Sequence, residues 1–322
     1  MHDLVVSIIN YRTRALTLDC LRSVLADIAG ADVRVVVTDN ASGDNSAEEI
    51  AAWCTAHPDA PVTLVQSQTN SGFSGGHNQG MAALEARHYL LLNSDALLRP
   101  GFIATILAAA RGNPRAGFIA PRIEHEDGTG QISCFRAHGP VSELIRGAAS
   151  DPVTRLLKAR DVPLSLDPAP GTIEWASFAC ILVSGAMVRE IGPMDEGYFL
   201  YFEDAEYCLR GRRAGWSIIH EPRARAIHHR GGSGPVKTLA AAKRRMPAYF
   251  YASRSRFLYQ AHGRIGLLAA NLTWHLGRGL AQLRRLAGKG VPRAAEAEAR
   301  DLWINAFDPL GPRRAPWEEA GE

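Results

Sequence analysis

Over the first third of the chain, short apolar runs alternate with segments of helical spacing, and polar or glycine clusters separate them. Leu4–Ile9, Val33–Thr38, Val62–Gln66 and Tyr89–Leu92 are nearly unbroken apolar runs. Runs of that length without polar alternation mark strands covered on both faces, as in a parallel sheet. Leu16–Leu25 and Ser46–His57 carry helical spacing, and a further helix is expected near His77–Arg87. Pro100 suits the first turn of the next one. The alternation predicts an α/β fold, a mostly parallel central sheet flanked by helices.

Each strand run ends in polar or glycine residues: Asn10, Asp39, the stretch Asn70–Gly76, and Asn93–Asp95. Ligands of open parallel sheets bind at the carboxyl ends of the strands. Four such clusters at equivalent places predict a nucleotide-like ligand. The stretch Asn70-Ser71-Gly72-Phe73-Ser74-Gly75-Gly76 is neither GxGxxG nor a Walker loop, and it follows the third run. That argues against a dehydrogenase or a P-loop enzyme.

Residues 125–172 are rich in turn formers, and loops with little regular structure are expected there. Trp175–Val188 is apolar again, and the segment from Asp195 to Glu206 then sets five acids among aromatic residues. Acids in apolar surroundings can serve as acid or base groups, although acids at a helix start also suit the helix dipole. His228 and His229 lead into Arg230 and a glycine-rich turn. With Asp95, one of these imidazoles could hold a divalent cation whose other ligands are substrate phosphate oxygens.

Charge changes this picture. The formal net charge of +3 conceals a split. Residues 1–209 carry 15 basic and 25 acidic side chains, whereas residues 210–289 carry 17 basic and only Glu221 as an acid. Such asymmetry points to an anionic partner for the basic block. Apolar residues at 46% and charged ones at 21% are ordinary for a folded protein. There is no basic, apolar leader and no apolar stretch of membrane-spanning length, so a cytoplasmic protein is expected, peripheral at the inner face of the membrane at most. Five scattered cysteines without a CxxC argue for reduced thiols and against a zinc cage.

Taken in order, these pieces resemble the family 2 glycosyltransferases of GT-A fold, in particular their rhamnosyltransferase-like branch. The matching pieces are Val6–Tyr11, Val37–Ser42, Asn70–Gly80, Leu91–Asp95, and Asp195-Glu196 followed by Phe199-Leu200-Tyr201-Phe202-Glu203-Asp204. Arg210, Gly215-Trp216 and His228 follow at the family's spacing. The resemblance implies that Asn10, Tyr11, Asp39, Asn70, Gly72, Phe73, Asn78, Ser94, Asp95 and Arg230 bind a nucleotide sugar. It implies that Asp95 and His228 hold Mg²⁺ or Mn²⁺, with His229 as the alternative to His228. It makes Asp204, beside Glu203, the base that takes the acceptor's proton in a single inverting displacement. The implied donor is a UDP- or dTDP-sugar, since Asp39 could accept from the N3–H that both bases offer. The implied acceptor is a hydroxyl of a glycan or of a polyprenyl-diphosphate-linked sugar, in cell-surface polysaccharide synthesis. Departures are the single carboxylate of Asn93-Ser94-Asp95, Glu206 in place of Asp, and Phe178 in place of Gly, which is expected to narrow a pocket.

The expected division is a catalytic domain over 1–240 and a helical basic extension over 241–322. Within 243–289, a helix drawn from Arg264 puts Ile265, Leu268, Leu272, Leu276, Leu280, Leu283 and Leu286 on one face. That face fits either docking on the catalytic domain or an anionic membrane surface. No nucleic-acid-binding module is visible. Two other readings are a non-catalytic nucleotide-sugar-binding protein and a sugar-phosphate nucleotidyltransferase. The latter usually opens with a glycine-rich basic loop, where this chain has Asn10-Tyr11-Arg12-Thr13-Arg14.

Overall fold

The computed structural model describes residues 1–28, 30–229 and 236–317. The chain forms two compact units. One comprises Met1–Phe135, Leu164–Glu196 and Tyr207–Ser233; the other comprises Arg136–Pro163, Gly197–Glu206 and Gly234–Glu322. The boundary expected near residue 240 thus differs from the observed grouping, which joins two earlier segments to the C-terminal one.

The first unit is built on β1 (His2–Asn10), α1 (Arg14–Leu25), β2 (Val33–Asp39), α2 (Ser46–Ala56), β3 (Val62–Gln66), α3 (Gly72–Ala83), β4 (Ala86–Asn93), β5 (Ala96–Leu98), α4 (Phe102–Gly112) and β6 (Ala116–Glu124). Short strands β7 (Gly130–Gln131) and β8 (Cys134–Phe135) follow. Later in the chain, the same unit holds β9 (Trp175–Ala176), β10 (Cys180–Ser184), α7 (Gly185–Ile191) and β11 (Ser217–His228). The main sheet runs β3-β2-β1-β4-β10-β6-β11-β5, with β7 on β6. Its long ladders, β1 with β2 and β4, β2 with β3, and β6 with β11, are parallel, while β10 enters antiparallel between β4 and β6.

The unbroken apolar runs have a direct explanation. Leu4, Val6 and Ile8 of β1 face one core with α1, α2 and α4, while Val5 faces a second core that holds Met81 of α3 and Met187 of α7. Both faces are covered, so neither parity can be polar.

Only Ser94 and Asp95 separate β4 from β5, yet β10, β6 and β11 lie between those strands in the sheet. A flat sheet would put β4 and β5 roughly 19 Å apart at about 4.8 Å per strand. The connecting residues reach about 11 Å. The sheet therefore curls. An irregularity between Glu221 and Arg225 of β11 lets its C-terminal end pair with β5, setting His228 opposite Ala96.

Two expectations need correction. The helix expected at His77–Arg87 instead starts at Gly72 and ends at Ala83. Its glycines serve packing: a Cβ on Gly76 would lie 2.8 Å from Ile9 Cδ1, and one on Gly80 would lie 2.2 Å from Ser7 Oγ. A stretch with a loop-like composition is thus a helix pressed onto β1. Residues 125–172 also hold two helices of the second unit, α5 (Pro140–Ala148) and α6 (Asp151–Leu156).

In that second unit, α8 (Glu203–Arg213) contributes its first turn, and α9 (Val236–Ala241), α10 (Ala248–Leu286) and α11 (Glu298–Asp301) complete the set. Gly263, at φ 69° and ψ −175°, breaks α10 into two helical stretches. Beyond the break α10 crosses α5 closely. A Cβ on Gly147 would sit 2.2 Å from the Trp274 carbonyl oxygen, and one on Gly277 would sit 2.5 Å from that of Leu144. Glu143 of α5 lies buried between Arg254 (2.9 Å) and Arg146 (2.6 Å), and Arg146 also pairs with Glu298. Arg254 is itself 2% exposed and donates to Asn271 Oδ1 at 2.7 Å. Part of the basic segment is therefore internal, and its charge is used in folding.

Candidate active site

In the first unit, the carboxyl ends of β1 and β2 meet as the pair Asn10 and Asp39, which face each other in the parallel ladder. Both are buried. Asn10 Nδ2 donates to Asp39 Oδ1 at 2.7 Å and to Ser42 Oγ at 3.0 Å. The Ser42 hydroxyl donates to the same Oδ1 at 2.6 Å, and its backbone N–H donates to Oδ2 at 3.2 Å. A carboxylate offers roughly four acceptor positions. Three are taken, which leaves Oδ2 room for a ring N–H. Thr17 and Thr13 donate to Asn10 Oδ1, and Thr13 Oγ1 lies 3.0 Å from Ser94 Oγ beyond β4. Asn10, Asp39 and Ser94 thus share one hydrogen-bonded cradle. Tyr11 is exposed, with the Arg12 guanidinium 5.3 Å from its ring centre.

Asn70 and Asn78 both have protein partners. Asn70 Oδ1 accepts from Asn40 Nδ2 and from the Gly72 N–H, both at 3.0 Å, which shapes the turn into α3. Asn40 also donates to the Gly72 carbonyl at 2.9 Å and accepts from the Ser71 N–H. Asn78 Nδ2 donates to the Met194 carbonyl and to Glu196 Oε1, and its Oδ1 accepts from the Met194 N–H, each at 2.9 Å. It braces the acidic segment's start. Phe73 packs edge-on against His77, whose Nδ1 lies 2.9 Å from Ser7 Oγ. Burial pushes the His77 imidazole down to about 3, so it stays neutral at physiological pH. Asn40, Ser42, Thr13 and Thr17 were absent from the expected set. For Thr13, Asn40 and Ser42 the sequence signal is the polar run just past each strand, while Thr17 lies inside α1.

Asp95 and His228 are brought together. Asp95 is 1% exposed, and His228 Nε2 lies 3.3 Å from its Oδ1. The His229 backbone N–H donates to the Asp95 carbonyl, but the His229 ring turns to Glu126 at 2.7 Å. His228, and not His229, therefore faces Asp95. Gln131 Nε2 donates to the His228 carbonyl at 2.9 Å and holds that strand end in place. Nearby Glu124 is buried. Burial alone would raise its carboxyl, but Arg225 at 2.7 Å and Arg122 at 3.0 Å hold it below the usual range. Among the described residues no three His, Cys, Asp or Glu side chains are grouped to hold a metal. An Asp–His pair alone fits a hard divalent cation that takes its remaining ligands from substrate phosphates and water. Arg230, expected to bind the nucleotide sugar, and the glycine-rich turn after it lie outside the described residues.

Phe178 is no pocket wall: it is buried, 5.9 Å from the Phe118 ring and 6.3 Å from that of Tyr207. The stacked pair Phe135 and Trp175, 4.1 Å apart, joins β8 to β9.

In the second unit, Glu203 and Asp204 open α8. The two residues before them, Tyr201 and Phe202, both have left-handed backbones, at φ 72° and 68°. Non-glycine residues pay for that conformation, of order 1–3 kcal/mol each, and such strain is concentrated at functional sites. Packing supports the bend: Phe202 lies against Phe250, Phe257 and His138, and Tyr201 against Tyr249 and Phe250. Glu203 is buried and its Oε2 has no hydrogen-bond partner among the described residues. Burial, and then the charge of Asp204, push its carboxyl well above the usual range. Asp204 is half-buried and its Oδ1 accepts from the Ala205 N–H at 2.8 Å.

Residues 5–149 match the family model Glycosyl transferase family 2. The chain is 28% identical over 272 residues to the N-acetylglucosaminyl-diphospho-decaprenol L-rhamnosyltransferase of Mycobacterium tuberculosis, covering 77% of this chain and 81% of that one. It is 26% identical over 233 residues to the low-salt glycan biosynthesis hexosyltransferase Agl10 of Haloferax volcanii, covering 71% and 68%. Among solved structures, the mannosyltransferase PcManGT of Pyrobaculum calidifontis, in complex with GDP-Man and Mn²⁺, superposes with a TM-score of 0.55 at 16% identity, over 96% of this chain and 84% of that one. S. aureus TarS gives 0.54 at 14% identity, and this chain spans 48% of it. The curled, mostly parallel sheet is the GT-A fold. Residues 5–149 match glycosyl transferase family 2, and the chain is similar to a curated rhamnosyltransferase and a curated hexosyltransferase of glycan biosynthesis.

Proposed function

We propose that this protein is an inverting, metal-dependent glycosyltransferase that moves a sugar from a UDP- or dTDP-sugar to a hydroxyl of a lipid-diphosphate-linked glycan in cell-surface polysaccharide synthesis. The observation that carries this reading is the Asp95–His228 pair at the strand ends, in the unit that also holds the Asn10–Asp39–Ser42 cradle. The relative from Mycobacterium tuberculosis supports rhamnose as the first donor sugar to try and an N-acetylglucosaminyl-diphospho-polyprenol as the first acceptor.

In this reading Asp39 accepts the N3–H of the base, and Asn10 and Ser42 keep its carboxylate oriented. Asp95 and His228 would hold Mg²⁺ or Mn²⁺, which would supply Lewis-acid stabilisation of diphosphate charge. Asp204 takes the proton of the attacking hydroxyl. Glu203 keeps its own proton, because two adjacent carboxyls resist ionising together and Glu203 is the more buried. One displacement at the anomeric carbon inverts its configuration.

The deciding experiment is a donor panel of UDP-, dTDP- and GDP-sugars with Mg²⁺ or Mn²⁺, read as nucleoside diphosphate released with and without the lipid-linked acceptor. Acceptor-dependent release with a UDP- or dTDP-sugar is the expected result. Tight donor binding with no turnover of any donor would instead mean a non-catalytic binding protein. Asp95→Ala is expected to weaken metal-dependent donor binding by about tenfold or more, measured by calorimetry with and without Mn²⁺. His229→Ala should leave it nearly unchanged, and the reverse outcome would move the metal to His229.

A further inference from the structure

The stretch of α10 beyond Gly263 presents the opposite face to that expected of a docked helix. Leu267, Ala270, Asn271, Trp274, Gly277 and Ala281 are its buried side. The aliphatic stripe of Ile265, Leu268, Leu272, Leu276, Leu280, Leu283 and Leu286 is exposed throughout, from 40% at Leu268 to 85% at Ile265. Scattered exposed leucines are ordinary, whereas a contiguous apolar row marks an interaction surface. Over 264–286 the row is roughly 33 Å long at about 1.5 Å per residue. Phe307, 77% exposed, extends it, since Arg264 Nη1 donates to the Phe307 carbonyl at 3.4 Å.

Charge decides what covers the stripe. From residue 262 to 295 there is no Asp or Glu, while Arg264, Arg284, Arg285, Lys289 and Arg293 are cationic; Arg278 instead donates to the Gly147 and Pro292 carbonyls. A second copy of the same helix would bring like charges together with no acid to offset them. An anionic bilayer surface would take the leucines among its acyl chains and the arginines among its headgroups. Among the described residues no helix is long and apolar enough to cross a membrane, so this one lies in the interface plane.

We propose that residues 264–286 seat the protein on a bilayer containing anionic lipids, with the leucine stripe inserted and the exposed Arg264, Arg285 and Lys289 near lipid phosphates. This narrows the membrane surface expected over 243–289, because Arg254 is internal and Arg244 and Arg245 pair with Glu296 and Asp301. It does not rest on the glycosyltransferase reading, since vesicles that contain neither donor nor acceptor suffice to test it.

The test is flotation of the full chain with vesicles of phosphatidylcholine alone or of phosphatidylcholine with phosphatidylglycerol. The wild type should float with the anionic vesicles and be released by salt. Leu272→Ser/Leu276→Ser/Leu280→Ser should weaken binding by about tenfold or more, with thermal unfolding unchanged because the replaced side chains are exposed. Ile265→Asn/Leu286→Asn, at the two most exposed positions, serves if the triple variant fails to fold. Arg264→Gln/Arg285→Gln should lower the preference for anionic vesicles. The proposal is overturned if the wild type ignores both vesicle types, or if a serine or asparagine variant that folds floats like the wild type. It is also overturned if sedimentation shows a dimer that these variants dissolve while vesicles bind neither form.

Discussion

Asp204→Asn is expected to slow sugar transfer by about 1,000-fold while donor binding stays within a factor of about two. The amide keeps the size and the hydrogen bond from Ala205 but cannot take a proton. Glu203→Gln is the discriminating companion. Burial and the neighbouring charge push the Glu203 carboxyl well above the usual range, and a glutamine mimics its neutral form. Its cost to turnover should be less than about tenfold. Steady-state kinetics at saturating donor separate the two. If Glu203→Gln is the severe variant and Asp204→Asn the mild one, the roles assigned to this pair are exchanged.

The second large effect concerns stability. Glu143→Ala is expected to destabilise the helical unit by about 3–5 kcal/mol, because it strips one partner from a buried ion-pair network. Arg254 would be left buried, with Asn271 as its side-chain partner. Chemical denaturation followed by helix content measures this. A loss below about 1 kcal/mol would mean that water reaches the site. Replacing both partners, as in Glu143→Leu/Arg254→Met, should recover much of the loss, since Arg146 keeps Glu298. The pH dependence has a definite sign. Burial alone would raise the Glu143 carboxyl, but Arg146 and Arg254 hold it down at about 2. A depressed folded-state value means that its contribution is complete above the unfolded value of about 4.3. It is then lost as pH falls towards about 2. Glu143→Gln should flatten that part of the acid profile.

Sequence and structure divide along a physical line. Strand runs such as Leu4–Ile9 and Val33–Thr38 declare themselves because burial on both faces demands unbroken apolar residues. The polar ends Asn10, Asp39 and Asn93–Asp95 stand out because nothing in a buried strand calls for them. Those signals are local, and family pattern supplied their order. What α3 does was hidden, since glycines that let a helix press on Ser7 and Ile9 look like a loop when the strand is out of view. The helices α5 and α6 were missed for the same reason: α5 is short, and it packs against α10 far along the chain. Side-chain roles needed three dimensions most of all. That the Asn78 amide holds Met194 and Glu196 shows only in the fold. Which of His228 and His229 faces Asp95 depends on a strand pairing that sets one ring against Asp95 and the other against Glu126. Periodicity put seven aliphatic residues on one face of a helix but could not say which face met the protein. Small residues did, because Gly147 and Gly277 allow the backbones of α5 and α10 to approach, and the larger leucines stay outside.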